Sequence, residues 1–336
     1  MMAGLVAVLL FVGVVSYAVL GGADFGAGFW DLAAGGTQRG KAPRALIDSC
    51  VAPVWEANHI WLIYSIVMLW SGFPTAFAAI TTTLYLPLMV AALGIVLRGA
   101  GFAFRKETMV TPERRFYGVV FAASSVLTPY CFGAIAGAVA SGRVPSGGYG
   151  DPVRSWVNPA SALGGVLAVL ACAFLAATYL TVAASRAGDE KLTGYFRRRA
   201  LAAGGASGAV SLVGIAILRA DAPRLFTDLT HVGLPLVTAA GLGGVASIGM
   251  LMRQRFVGVR ETAAAAVAAV VAGWGVSQYP NLLGTHLTVG EAAAPRATLA
   301  ILVAVACAAV VLVLPPLLAL FRLAAVPSAV DDPQQR

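Results

Sequence analysis

The sequence predicts an all-α integral membrane protein with nine transmembrane helices, and three observations carry that reading. The first is composition: of 336 residues 59% are hydrophobic and 11% charged, with mean hydropathy +0.83, far from a soluble domain. The second is length, because a helix rising about 1.5 Å per residue needs about 20 residues to cross a hydrocarbon core roughly 30 Å thick, and apolar runs of that size recur along the chain. The third is periodicity. Runs such as "ALGGVLAVLACAFLAATYL" are apolar all round, whereas the strands of a membrane barrel alternate with period two.

The nine runs span residues 3–23, 56–71, 75–97, 117–140, 161–185, 200–218, 232–252, 262–279 and 298–321. The first follows no Lys or Arg and exceeds the apolar core of a signal peptide, so it reads as a span rather than a cleaved leader. The longest connections are 24–55 and 141–160, too short for a soluble domain, and the tail "SAVDDPQQR" is polar and reads as disordered. Cys50, Cys131, Cys172 and Cys307 are too widely separated to suggest a zinc site or a disulfide framework and read as small buried hydrophobes.

The basic residues set the expected topology. Connections after the odd-numbered helices, together with the tail, hold 18 of the 23 Lys and Arg. With an odd helix count this bias places the N-terminus outside and the C-terminus in the cytoplasm. The net charge of +8 is therefore read as membrane topology rather than as a nucleic-acid surface.

Function must come from polar groups that a bilayer makes costly. Four stretches stand out: "GGADFGAGFWD", "SCVAPVWEANHIWLIY" and "VLRGAGFAFRK", expected on the cytoplasmic side, and "WGVSQYPNLL" on the opposite side. In the second, Pro53 precedes a helix whose first turns carry Trp55, Glu56, Asn58 and His59, and Glu56 and His59 share a face at a spacing of three. Each group has a bland reading. Glu56 can complement a helix N-terminus, Asp24 can be the polar end of a helix, and Arg98 can snorkel to the interface. Gly22 and Gly26, four apart, suit close helix packing.

Glu-x-x-His also suggests a di-iron site, but that chemistry needs the motif on two helices, and His231 and His286 are expected near the opposite face. His59 as a haem ligand lacks a second axial partner, which favours a hydrogen-bonded interhelical histidine. The glycine-rich stretch lacks the G-x-G-x-x-G pattern of a nucleotide site. The bland readings leave unexplained why two carboxylates, a histidine and an arginine gather at one depth on the first three helices.

The motifs "GGADFGAGFWDL", "LIDSCVAPVWEANHIWLI", "FPTAFAAI", "LYLPL" and "LGIVLRGAGFAFR" resemble the signature run of subunit II of cytochrome bd-type quinol oxidases. The resemblance is dense over about residues 16–105, where a glycine-rich turn is followed by A-P-x-W-[DE]-x-N-x-x-W-L-I, and thin beyond.

It implies two four-helix bundles, at 1–140 and 141–285, a peripheral ninth helix at 286–325 and a tail at 326–336. It implies a heterodimer with subunit I, which would oxidise quinol, reduce dioxygen to water and hold haems b558, b595 and d or a second b. This chain would hold no haem and no metal. Some family members bind a structural quinone in subunit II or recruit small single-helix subunits; nothing in this sequence fixes either.

Asp24, Trp55, Glu56 and Arg98 match family positions occupied by an acidic residue, a tryptophan, an acidic residue and an arginine. The second acidic position is usually Asp and is linked to a cytoplasmic proton path; here it is Glu, one methylene longer. Glu56, Asp24 and His59 would then form the path, with Trp55, Asn58 and Arg98 supporting it. Two other classes stand beside this one. A secondary transporter would place charges at helix midpoints, which these runs lack, and a purely structural scaffold would need no titratable path at all.

Overall fold

The computed structural model describes residues 1–36, 38–51, 55–107, 111–285 and 287–324; side chains at 51, 55–57, 105–107, 111–115, 313–314, 317 and 320–324 lie outside the description. The helices in chain order are α1 (Met2–Leu32), α2 (Lys41–Val51), α3 (Trp55–Gly72), α4 (Pro74–Thr83), α5 (Tyr85–Glu107), α6 (Thr111–Ala140), α7 (Pro159–Arg186) and α8 (Glu190–Asp221). Then follow α9 (Pro223–Thr230), α10 (Leu234–Met252), α11 (Val259–Gln278), a short antiparallel ribbon of β1 (Asn281–Leu283) and β2 (Leu287–Thr288), α12 (Val289–Ala292) and α13 (Arg296–Ala324).

Among the described residues seven helices are long and apolar enough to cross a membrane: α1, α5, α6, α7, α8, α10 and α11. The bent pair α3 and α4 raises that number to eight if it is one span, and α13 adds a shorter apolar stretch at Arg296–Leu312.

Three features depart from the sequence expectation. The glycine-rich stretch after residue 21 is no turn, since α1 continues through it to Leu32 and carries Asp24 about two turns inside the helix. The run 75–97 is two helices. Pro74 bars Phe73 from helical backbone, so α3 stops there and α4 leaves at 115°. Pro87 cannot bond the Thr83 carbonyl and crowds it, so the chain breaks again at Leu84 before α5 begins. The third departure is at the end of "WGVSQYPNLL", where Pro280 follows α11 and the chain enters the β1–β2 ribbon, the one element that is not helical among those described. A capping box then starts α12: Thr288 Oγ1 accepts from Glu291 N, and the Glu291 carboxylate accepts from Thr288 N. Two bonds donated by Thr288, from its main-chain N–H first and its hydroxyl second, hold the Glu291 carboxyl below the usual carboxylate range.

Helix α1 is the centre of the packing. It contacts α3, α6, α7 and α11, while α5 packs on α6, α6 and α8 on α7, and α10 on α11. Close approach of α1 to α7 needs glycine at 26, because a Cβ there would overlap the Cys172 carbonyl. Trp30 Nε1 locks the same seam by donating to the Ala173 carbonyl at 2.7 Å. Cys131 and Cys172 are buried as expected, but Cys50 is half-buried and Cys307 is exposed, on a face of α13 that no described element covers.

Candidate functional site

Three helices bring three of the predicted residues together. Asp24 comes from α1, Asn58 from the first turn of α3 and Arg98 from the middle of α5, and each is at most 5% exposed. Asn58 Nδ2 donates to Asp24 Oδ2 at 2.5 Å and to the Leu20 carbonyl at 3.3 Å. Arg98 Nη2 donates to the main-chain carbonyl of Asp24 at 3.0 Å, and Arg98 Nε to Ser125 Oγ on α6 at 3.2 Å. Ser125 Oγ in turn donates to the Phe121 carbonyl at 2.7 Å. The guanidinium also lies 5.0 Å from the Phe25 ring centroid and 5.2 Å from that of Phe121. Two aromatic faces, a carbonyl and a hydroxyl thus replace the water that a buried cation loses.

A span ending at 97 puts Arg98 in a basic connection, free to snorkel to the interface; at 2% exposure inside α5 it does neither. Asp24 likewise is no helix end. Charges therefore sit within helices α1 and α5, where the sequence reading of 3–23 and 75–97 left none.

His59, next to Asn58, faces α1, with its ring 5.9 Å from that of Tyr17 and 6.1 Å from that of Phe25. Trp55 and Glu56 open α3, and their side chains lie outside the described residues, as does His286. His231 ends α9, its Nδ1 2.7 Å from the Thr227 carbonyl. Among the described residues no three His, Cys, Asp or Glu side chains gather as metal ligands.

Sequence reasoning missed Ser125, Phe121 and Tyr17. The signal for the first was available, since "SSVLT" places Ser124, Ser125 and Thr128 on one side of an otherwise apolar run, and all three are buried. It also missed the pairing of Arg44 on α2, whose Nε donates to Asp31 Oδ1 at 2.9 Å and whose Nη2 donates to the Gly35 carbonyl at 2.6 Å.

The sequence profile of the family described as cytochrome bd terminal oxidase subunit II matches residues 2–324. This chain belongs to that family. Subunit 2 of the cytochrome bd ubiquinol oxidase of Bacillus subtilis is 26% identical over 170 residues, 50% of this chain and 48% of that protein. Subunit 2 of the cytochrome bd-I ubiquinol oxidase of Escherichia coli K12 is 27% identical over 183 residues, 52% of this chain and 46% of that one. The aligned part thus spans about half the length of these curated subunit II relatives. A chain of the solved bd oxidase of Geobacillus thermodenitrificans superposes with a TM-score of 0.81 at 24% identity, covering 96% of this chain and 98% of that one, which establishes a shared fold.

Proposed function

We propose that this chain is the haem-free subunit of a bacterial quinol:oxygen oxidoreductase, paired with a subunit I that carries haems b558, b595 and d or b, and that it admits the protons consumed in reducing dioxygen. The observation that carries the proton role is the Asp24 centre. A carboxylate is held deep in the helix packing by an amide, and a cation is fixed against its main chain by groups from two further helices. Intramembrane ionisable groups held at such cost mark proton or ion routes. Glu56 and His59, at the mouth of α3, would pass protons to Asp24. Membership of the subunit II family and relatives named as quinol oxidase subunits support the activity.

The same reading places the chain in the cell membrane with nine spans, counting the α3–α4 pair and α13 as one each. The contacts among α1, α3, α5 and α6, and among α7, α8, α10 and α11, support two bundles with α13 peripheral. The charge bias favours the N-terminus outside and the C-terminus in the cytoplasm. Protons taken from the cytoplasm and released from quinol on the outside would build a potential without pumping.

Glu56→Gln in the assembled oxidase tests the proton role. Loss of a proton-transfer group slows turnover by roughly ten- to ten-thousand-fold, and haem content should survive. Glu56→Asp should keep much of the activity. A scaffold subunit would show near-parental oxygen consumption in the Gln variant, because a lost helix-terminal charge costs only about 1 kcal/mol.

A further inference from the structure

We propose that Tyr17 is a positioning residue of this site, holding with Asn58 a water on the Asp24 carboxylate through which the proton arrives. The proposal rests on the proton-entry reading above. The Tyr17 ring lies along Gly21, one turn toward Asp24, where a Cβ would come within 2.7 Å of Tyr17 Cε2. Its edges meet His59 at 5.9 Å, Phe132 at 6.0 Å and Phe25 at 6.2 Å. Inside this aromatic shell the Tyr17 hydroxyl is buried with no hydrogen-bond partner among the described residues. Asn58 Oδ1 is in the same position, although the amide nitrogen of that side chain holds Asp24.

The orphaned hydroxyl, on a ring packed against Phe25 and His59, the chain neighbours of Asp24 and Asn58, and the orphaned Asn58 acceptor are what an internal water would satisfy, since such waters bridge two to four buried polar groups. Tyr17 Oη–H would donate to the water, which would donate to Asn58 Oδ1 and to the free oxygen of Asp24. In the transfer the water gives one proton to the Asp24 carboxylate and takes one from the protonated His59 ring. The water is unchanged, His59 becomes neutral, Asp24 becomes the neutral acid, and Tyr17 keeps its own proton. The titratable and charged groups around Tyr17 are Asp24 on its own helix, His59 on α3, Arg98 on α5 and Cys172 on α7; α6 presents the Phe132 ring.

The experiment is Tyr17→Phe in the assembled oxidase beside Asp24→Asn, with oxygen consumption followed across pH and infrared difference spectra recorded in normal and ¹⁸O-labelled water. Tyr17→Phe keeps the ring and its aromatic contacts, so haem content and stability should stay intact. Turnover of Tyr17→Phe should fall on the order of tenfold at alkaline pH and less at acidic pH, in the lower part of the range for proton-transfer groups, and an isotope-sensitive water band should vanish. A parental pH profile in Tyr17→Phe while Asp24→Asn is slow overturns this inference alone. Parental turnover in Asp24→Asn overturns the proton-entry reading and this one with it. Loss of haem from Tyr17→Phe assigns the residue to packing and overturns it equally.

Discussion

Arg98 grips Asp24 by its main chain and not by its carboxylate: Nη2 donates to the Asp24 carbonyl at 3.0 Å, and the carboxylate oxygen Oδ2 takes the Asn58 amide instead. The cation therefore fixes the height of Asp24 in the helix packing without consuming its titratable oxygens in a bidentate ion pair. A carboxylate clamped by Arg in fork geometry would be held ionised. One that keeps an oxygen outside the clamp can still gain and lose a proton.

Asp24→Asn should therefore separate position from titration. The amide matches the carboxylate in size and accepts from Asn58, so the Arg98 contact and the fold should stay. Oxygen consumption by the assembled oxidase is expected to drop by roughly ten- to ten-thousand-fold, as for a lost proton carrier, at unchanged haem absorbance. Turnover within a factor of two of the parent would remove Asp24 from the route.

Arg98→Lys is not conservative here. An ammonium cannot serve the Asp24 carbonyl, the Ser125 hydroxyl and two ring faces at once, and it gives up a tighter hydration shell on burial. Losing one charge-assisted hydrogen bond costs about 1.5–3 kcal/mol, which should appear as faster thermal loss of haem from the complex. Ser125→Ala, which removes one neutral partner, should cost less than Arg98→Lys; the reverse order would contradict the bonding described.

Gly26→Ala should weaken the complex although Gly26 touches no polar group of the site. Its new methyl would meet the Cys172 carbonyl and the Ala176 methyl, forcing α1 from α7 at a cost of about 1–3 kcal/mol for overpacking. Gly36→Ala, with open space around it, is the control and should be silent in the same melting assay.

Glu291 supplies a pH signature outside the spans. Its folded value lies below the unfolded one, so its contribution is complete above the unfolded value and disappears as pH falls through the folded value. Protection of the Thr288 amide, with exchange taken relative to its intrinsic rate at each pH, should fall on acidification through the carboxylate range, and Glu291→Gln should flatten that dependence. An equally steep response in the Gln variant would assign the effect elsewhere.

Residue type and spacing made the candidate site legible to different depths. Asp24, Asn58 and Arg98 were identifiable because ionisable or amide groups beside apolar runs are conspicuous, and they do converge. Their depth was not legible. Hydropathy ended the first helix at 23 and the third at 97, yet Gly22 and Gly26 pack α1 against α7 and Gly28 packs it against α6 instead of breaking it, and Arg98 finds internal partners instead of solvent. The break at Phe73 was legible, since it falls between the runs 56–71 and 75–97, but the second break at Leu84 needed the missing N–H of Pro87 to be weighed against the run. Tyr17 was hidden by its ordinary chemistry, since a lone hydroxyl in an apolar helix acquires meaning only from what faces it across the packing, and the hydroxyl cluster around Ser125, though conspicuous, did not tell that Arg98 faces it.

The α1–α7 seam makes Asp24 answerable to both halves of the chain. Gly26 sits two residues beyond Asp24 and rests directly on the Cys172 carbonyl, so the backbone of α7 limits how far α1 can shift while Asn58 and Arg98 hold the Asp24 carboxylate and carbonyl. Side-chain changes along α7 near Cys172 and Ala176 can then shift the carboxylate without touching it, as a wedge under one arm of a balance moves the other. Residues 172–176 fall outside the dense motif run at 16–105, yet they belong mechanically to the same centre.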